Sequence, residues 1–181
     1  MYLISSEERG MRRIAAWLAG VVLLSTIGVA EDRGFIGAEV KYHDIEAQEP
    51  VTGNDLSESA AALGLRLGGV NDRFRFYVMY DFIKDIDYKK TTIKEYLATA
   101  TVDWFIPFQT EKFKPYLGAI VGYGYYEIGS FDDSGVAYGA EGGLMISMGR
   151  YDLDGFVRWI GSDVNDVDYY MQAGVGVNYK F

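Results

Sequence analysis

The chain has no cysteine and a single histidine, His43. Without cysteine there is no disulfide framework, no thiolate metal site and no Cys nucleophile. One histidine also excludes His-rich metal centres and multi-His catalysis. Proline is scarce, 3 in 181 residues, and bases are outnumbered, 17 Lys and Arg against 26 Asp and Glu, for a net charge of -9. An acidic chain lacks the electrostatic footprint that nucleic acid demands, which sets that partner aside. Long apolar runs are missing too. Beyond residue 30 the longest stretch without a charge is 115–126, 12 residues, too short for a transmembrane helix. Glycine (22 residues) and aromatics (15%) are abundant, and with so little proline they point to an all-β chain. The length allows one domain. Mean hydropathy is -0.03, an average that misleads because polar and apolar residues alternate.

The first thirty residues read as an address. Arg12 and Arg13 precede an 11-residue apolar run, 14–24, and the small residues Gly28 and Ala30 follow. A basic n-region, a short h-region and a small-residue exit describe a secretory signal peptide over residues 1–30, cleaved after Ala30. A membrane anchor is the alternative, but the run is short and Glu31-Asp32-Arg33 follows at once. Met11 opens a more conventional leader than Met1, which is followed by Glu7 and Glu8. The mature chain, 31–181, then carries 24 acids and 14 bases, net -10. It is exported, either to float in the periplasm or to sit in an outer membrane as strands.

Eight segments of the mature region alternate with period two: 35–43, 60–69, 74–82, 95–105, 115–126, 137–148, 152–160 and 169–181. One face of each is apolar, as in Leu63, Leu65 and Leu67 or Val175, Val177 and Tyr179. The other face mixes glycine with isolated charges, too sparse for a solvated surface. The connections alternate as well: 70–73, 106–113 and 149–151 are shorter, and 44–59, 83–94, 127–136 and 161–168 longer. Short periplasmic turns and longer extracellular loops on an even number of antiparallel strands give this rhythm. The expected fold is an all-β, eight-stranded antiparallel up-and-down transmembrane barrel over 31–181, with both termini periplasmic. Aromatics such as Tyr42, Phe82, Trp104, Trp159 and Tyr179 near strand ends suit a lipid–water boundary. A soluble sandwich or lipocalin-like barrel would instead show water a polar face.

The leader, the eight segments and the ending Val177-Asn178-Tyr179-Lys180-Phe181 resemble the small OmpA/OmpX-type outer-membrane barrels of Gram-negative bacteria. The stretch Phe113-Lys114-Pro115-Tyr116-Leu117-Gly118-Ala119, with Gly122-Tyr123-Gly124, resembles the fifth strand of porin-like and opacity-type members. The resemblance implies an outer-membrane location with membrane lipid and lipopolysaccharide as surroundings. It also implies that Val177, Tyr179 and Phe181 form the signal read by the outer-membrane assembly machinery.

On this register the inward charges are Lys41, Arg66, Arg75, Arg158 and Lys180 against Glu39, Asp81, Asp103, Glu141 and Asp154, five of each sign. Eight strands enclose only enough room for side chains, and unpaired buried charge is costly. These residues should pair across the lumen as a plug, with Glu39, Glu141, Arg66, Arg75 and Arg158 at its centre; a gate whose pairs exchange partners is the alternative. The loops are acidic except 83–94, where Lys84, Lys89, Lys90 and Lys94 outnumber Asp85 and Asp87. The run 163–168 lacks the glycine and terminal glutamate of an EF-hand loop, so no metal site is expected. No cofactor is expected either. An esterase site would need a serine such as Ser57, Ser59 or Ser162 beside His43, which reads instead as a polar rim residue. In lipid A deacylase barrels His and Ser sit two apart on one strand, whereas Ile45 holds that place here. The chain reads as a non-enzymatic, monomeric barrel that works through its loops. A narrow channel for ions or small apolar solutes, with Pro115 the only hint of a lateral route, and a lipid-modifying enzyme are the alternatives.

Overall fold

The computed structural model describes residues 33–48, 55–83, 86–88, 91–107, 110, 112–128, 131–163 and 167–181. The predicted leader and its cleavage site at Ala30 lie outside them. Nine strand segments follow one another: β1 (Arg33–Gln48), β2 (Asp55–Val70), β3 (Phe74–Ile83), β4 (Ile86–Tyr88), β5 (Thr91–Phe105), β6 (Phe113–Ile128), β7 (Phe131–Met148), β8 (Tyr151–Ser162) and β9 (Val167–Lys180). Successive segments pair antiparallel, except that β3 and β4 both pair with β5, and β9 pairs back onto β1. The three-residue β4 continues the line of β3 along β5, so the closed barrel has eight strands.

The register fixes the barrel's size. Cα partners lead from Phe35 through Gly68, Tyr77, Thr101, Ile120, Gly139, Ile160 and Tyr170 back to Ile45, ten residues along the starting strand. With ordinary strand spacings that stagger tilts the strands by about 40° and gives a backbone radius of about 8 Å. Such a cylinder has room for side chains and little else.

Alternation then sorts the residues. Val175 is 66% exposed and Leu63 58%, while Arg158 and Asp103 are fully buried. The barrel is therefore inside-out, with apolar side chains outward and ions inward. Ala98 is one of a few buried outward residues, covered by Tyr125 with Tyr80, Tyr96 and Tyr123 packed around it. Near the short turns the interior carries an apolar layer, Phe35, Val70, Tyr77, Met79, Phe105, Tyr116, Met145 and Phe156.

The short connections have local causes. Asn71 Oδ1 accepts from Arg73 N (2.8 Å) and Phe74 N (2.7 Å), an Asx turn that reverses the chain between β2 and β3. Gly149, at φ 69°, takes the first central position of the two-residue β7–β8 turn, where a side chain would be strained. The predicted long loops shrink, because pairing continues beyond the alternating segments. Asp44 faces Ser59 and Gln48 faces Asp55. Polar residues erase the period-two signal there without ending the backbone ladder.

Candidate functional site

The lumen holds the side chains that carry chemistry. Arg158 is its hub. Its Nη1 and Nη2 donate to the two oxygens of Glu39 (2.5 and 3.0 Å), and its Nε donates to Glu141 Oε2. Glu39 also takes Lys41 Nζ at 2.9 Å and Arg66 Nε at 3.2 Å. Lys41 reaches on to Asp81 at 2.6 Å. Asp154 Oδ2 receives Arg66 Nη1 and Arg75 Nη1, each at 2.7 Å, and its Oδ1 receives the Tyr116 hydroxyl at 2.8 Å. Arg75 Nε closes onto Asp103 Oδ2 at 2.7 Å, and the Tyr77 hydroxyl donates to Glu141 Oε1 at 2.7 Å. Nine of the ten charges expected in the lumen thus form one connected cluster spanning β1, β2, β3, β5, β7 and β8.

Aromatic rings and glycines make room for it. The Arg158 guanidinium lies 3.9 Å from the Phe156 ring centroid, and that of Arg75 lies 4.6 Å from Tyr116, both cation–π distances. Inward glycines let long side chains lie flat on the wall. A methyl group at Gly64 would stand 2.8 Å from both Asp81 Oδ1 and Glu39 Cγ, and one at Gly176 would occupy the place of the Arg66 guanidinium. The glycine-rich inward face is therefore the complement of the arginines.

Two inward acids, Glu95 and Asp152, were not anticipated. Lys180, the tenth expected charge, stands apart from the cluster and pairs with Asp152 (2.7 Å) and Ser147 Oγ (2.9 Å) at the short-turn end. Glu95, at the other end, lies 3.1 Å from His43 Nε2. Gln172 Nε2 lies 3.0 Å from His43 Nδ1, and the Tyr170 ring is 5.0 Å away. His43 is fully buried, which corrects the expectation of a rim residue. Because β1 continues to Gln48, His43 lies five residues inside the strand end. Including Glu95 and Asp152, the described lumen holds seven carboxylates against five Lys and Arg, not five of each. Both residues continue the inward parity of their strands, Glu95 with Thr99 and Asp152 with Asp154, so extending the alternation would have found them.

Other expected features are also placed. Val177 and Phe181 face outward, 46% and 70% exposed. Tyr179, half-buried, has its ring 5.4 Å from that of Tyr151. Strand pairing runs unbroken past Pro115, whose partner is Leu144 and whose carbonyl accepts from Ile106 N at 2.8 Å. No wall gap opens there. A cavity of about 1020 Å³ opens at the short-turn end, lined by Arg33, Arg73, Lys114 and Lys180 and floored by Val70, Phe105 and Met145. Among the described residues no trio of His, Asp or Glu has metal-ligand geometry. His43 meets Glu95 and Gln172, and the Ser57 side chain lies outside the described residues. The side chains of most charges in the predicted acidic loops, and those of the lysines of 83–94, are likewise not described.

A closed, eight-stranded, ion-filled cylinder with an apolar exterior matches solved structures. The Neisserial surface protein A superposes with a TM-score of 0.66 at 23% identity, covering 82% of this chain and 97% of that one. Outer membrane protein H (OprH) from P. aeruginosa gives 0.59 at 19% identity, covering 82% and 99%. The fold is that of the small outer-membrane β-barrels. No family model and no curated protein matches the sequence. The barrel's likeness to these proteins is one of architecture.

Proposed function

We propose that this chain is an outer-membrane barrel of the OmpA/OmpX type whose lumen is a structural plug and whose working surface is its strand extensions and loops. The observation that carries the reading is the nine-residue charge cluster. It crosses the lumen from wall to wall, and all of its ionic side chains are buried. An open aqueous pore of this strand number has no space beside such side chains. The outward belt of Val, Leu and aromatic residues supports insertion among outer-membrane lipid and lipopolysaccharide. Short turns and both termini then face the periplasm, and the leader at 1–30, cleaved after Ala30, directs export. Val177, Tyr179 and Phe181 act as the signal for the assembly machinery, and the barrel works as a monomer without cofactor or catalytic residues.

The test is the conductance of the refolded mature barrel in a planar bilayer, with Glu141→Ala and Arg158→Ala alongside. A wild type that is folded, as judged by heat-modifiable gel mobility, and silent supports the plug. Defined openings in the wild type that grow in the variants would replace it with a gated pore.

A further inference from the structure

Two carboxyl pairs in the lumen are built alike, but only one has a cation within hydrogen-bonding distance of both its members. Glu39, Gly64 and Asp81 are register partners across β1, β2 and β3. Asp103, Gly118 and Glu141 are register partners across β5, β6 and β7. In each set both acids lean over the central glycine. As a methyl group at Gly64 would meet Asp81 and Glu39, one at Gly118 would collide with Asp103 Oδ1 and stand 3.0 Å from Glu141 Cγ. Lys41 Nζ bridges the first pair, 2.9 Å from Glu39 Oε1 and 2.6 Å from Asp81 Oδ2.

Between Asp103 and Glu141 no described ammonium or guanidinium reaches both members at hydrogen-bonding distance. Arg75 holds Asp103 Oδ2 through Nε at 2.7 Å, and its Nη2 stands 3.8 Å from Glu141 Oε1, beyond hydrogen-bonding distance. Each Glu141 oxygen already accepts one hydrogen bond, from Tyr77 on Oε1 and Arg158 on Oε2, and each keeps a second lone pair for another donor. Asp103 Oδ1 receives no hydrogen bond, although the residue is fully buried. The two carboxyl side chains nevertheless converge over Gly118, where a single methyl group would meet both. Two ionised carboxylates brought this close in a buried site repel each other, which favours the neutral acid for one of them. Charge leads to the same place. The cluster's four cations, Lys41, Arg66, Arg75 and Arg158, face five acids, Glu39, Asp81, Asp103, Glu141 and Asp154. The remaining groups around the pair are Tyr116 from β6 and Asp154 from β8; Asp154 is already satisfied by Arg66, Arg75 and Tyr116.

We propose that the lumen contains a proton-binding site in which Asp103 is a neutral carboxylic acid whose Oδ1–H donates to Glu141. The proton does for this pair what the Lys41 ammonium does for Glu39 and Asp81, and it balances the cluster at four charges of each sign. Glu141, with Arg158 and Tyr77 already on its oxygens, stays ionised. Asp103, with a bare Oδ1, is the member that carries the proton. The proposal goes beyond the plug reading and holds whether or not the lumen conducts.

The test is infrared spectroscopy of the mature barrel refolded into lipid vesicles at neutral pH, in light and in heavy water. A neutral carboxyl C=O band that shifts in heavy water is expected in the wild type and should be lost in Asp103→Asn. That amide can still donate to Glu141 and accept from Arg75, so its urea unfolding midpoint should match the wild type. Glu141→Gln, which strips a charge from Arg158, should lower the midpoint. Absence of the band in the wild type, or its persistence in Asp103→Asn, overturns the proposal. So does an Asp103→Asn midpoint that falls as far as that of Glu141→Gln. A wild-type midpoint that depends on sodium or potassium at constant ionic strength, and loses that dependence in Asp103→Asn, would put an alkali cation in the site and equally overturn it.

Discussion

Arg158→Ala is the substitution that most directly tests whether the lumen cluster holds the barrel together. The guanidinium makes two bonds to Glu39 and one to Glu141, and its removal strips a partner from both carboxylates inside a wall that admits no bulk water. Breaking a buried ion pair from one side costs about 3–5 kcal/mol, because the surviving charge stays buried. Glu39 keeps Lys41 and Arg66, and Glu141 keeps the Tyr77 hydroxyl, so the lower half of that range applies. At about 1.4 kcal/mol per decade, the folding equilibrium should fall by two to three powers of ten. Urea titration of the refolded barrel in vesicles, followed by tryptophan fluorescence, measures the loss. The double variant Arg158→Ala/Glu141→Ala should be less damaging than the sum of the two single variants, since the second change removes a charge the first left unpaired. A single-variant loss under about 1 kcal/mol, the range of exposed pairs, would refute the claim that these ions are buried and structurally coupled.

Gly176→Ala should destabilise the barrel by about 1–3 kcal/mol, because its new methyl group competes with the Arg66 guanidinium for one space, whereas Gly155→Ala, with nothing within 4 Å, should be near neutral. The same urea titration ranks them, and equal effects would remove the packing role assigned to the inward glycines. Val175→Arg, at the most exposed outward valine, should cost about 2–4 kcal/mol in vesicles if that face meets the hydrocarbon centre. A change within error there would mean that the exposed apolar face does not meet lipid.

Strand number and facing were legible because both rest on a period of two, which is a local property. Leu63, Leu65 and Leu67 against Gly64 and Arg66 announce one wet and one greasy face without any knowledge of neighbours. Strand ends were less legible. Asp44 to Gln48 pair with Asp55 to Ser59 although their sequence no longer alternates apolar with polar. His43, Glu95 and Asp152 were misjudged or missed for that reason: each lies at the margin of an alternating segment, where the ladder continues after the pattern stops.

Sequence alone determined the closed all-β architecture, the apolar exterior and the identity of nine of the clustered charges, since each follows from which side of a strand a residue occupies. The tertiary structure decided who meets whom. A stagger of ten residues brings Arg158 of β8 onto Glu39 of β1, sends Lys180 to Asp152 rather than into the cluster, and leaves Asp103 facing Glu141 across Gly118. Those partners lie far apart in the chain, and a shift of register by two residues would keep every side chain on its face while changing every pair.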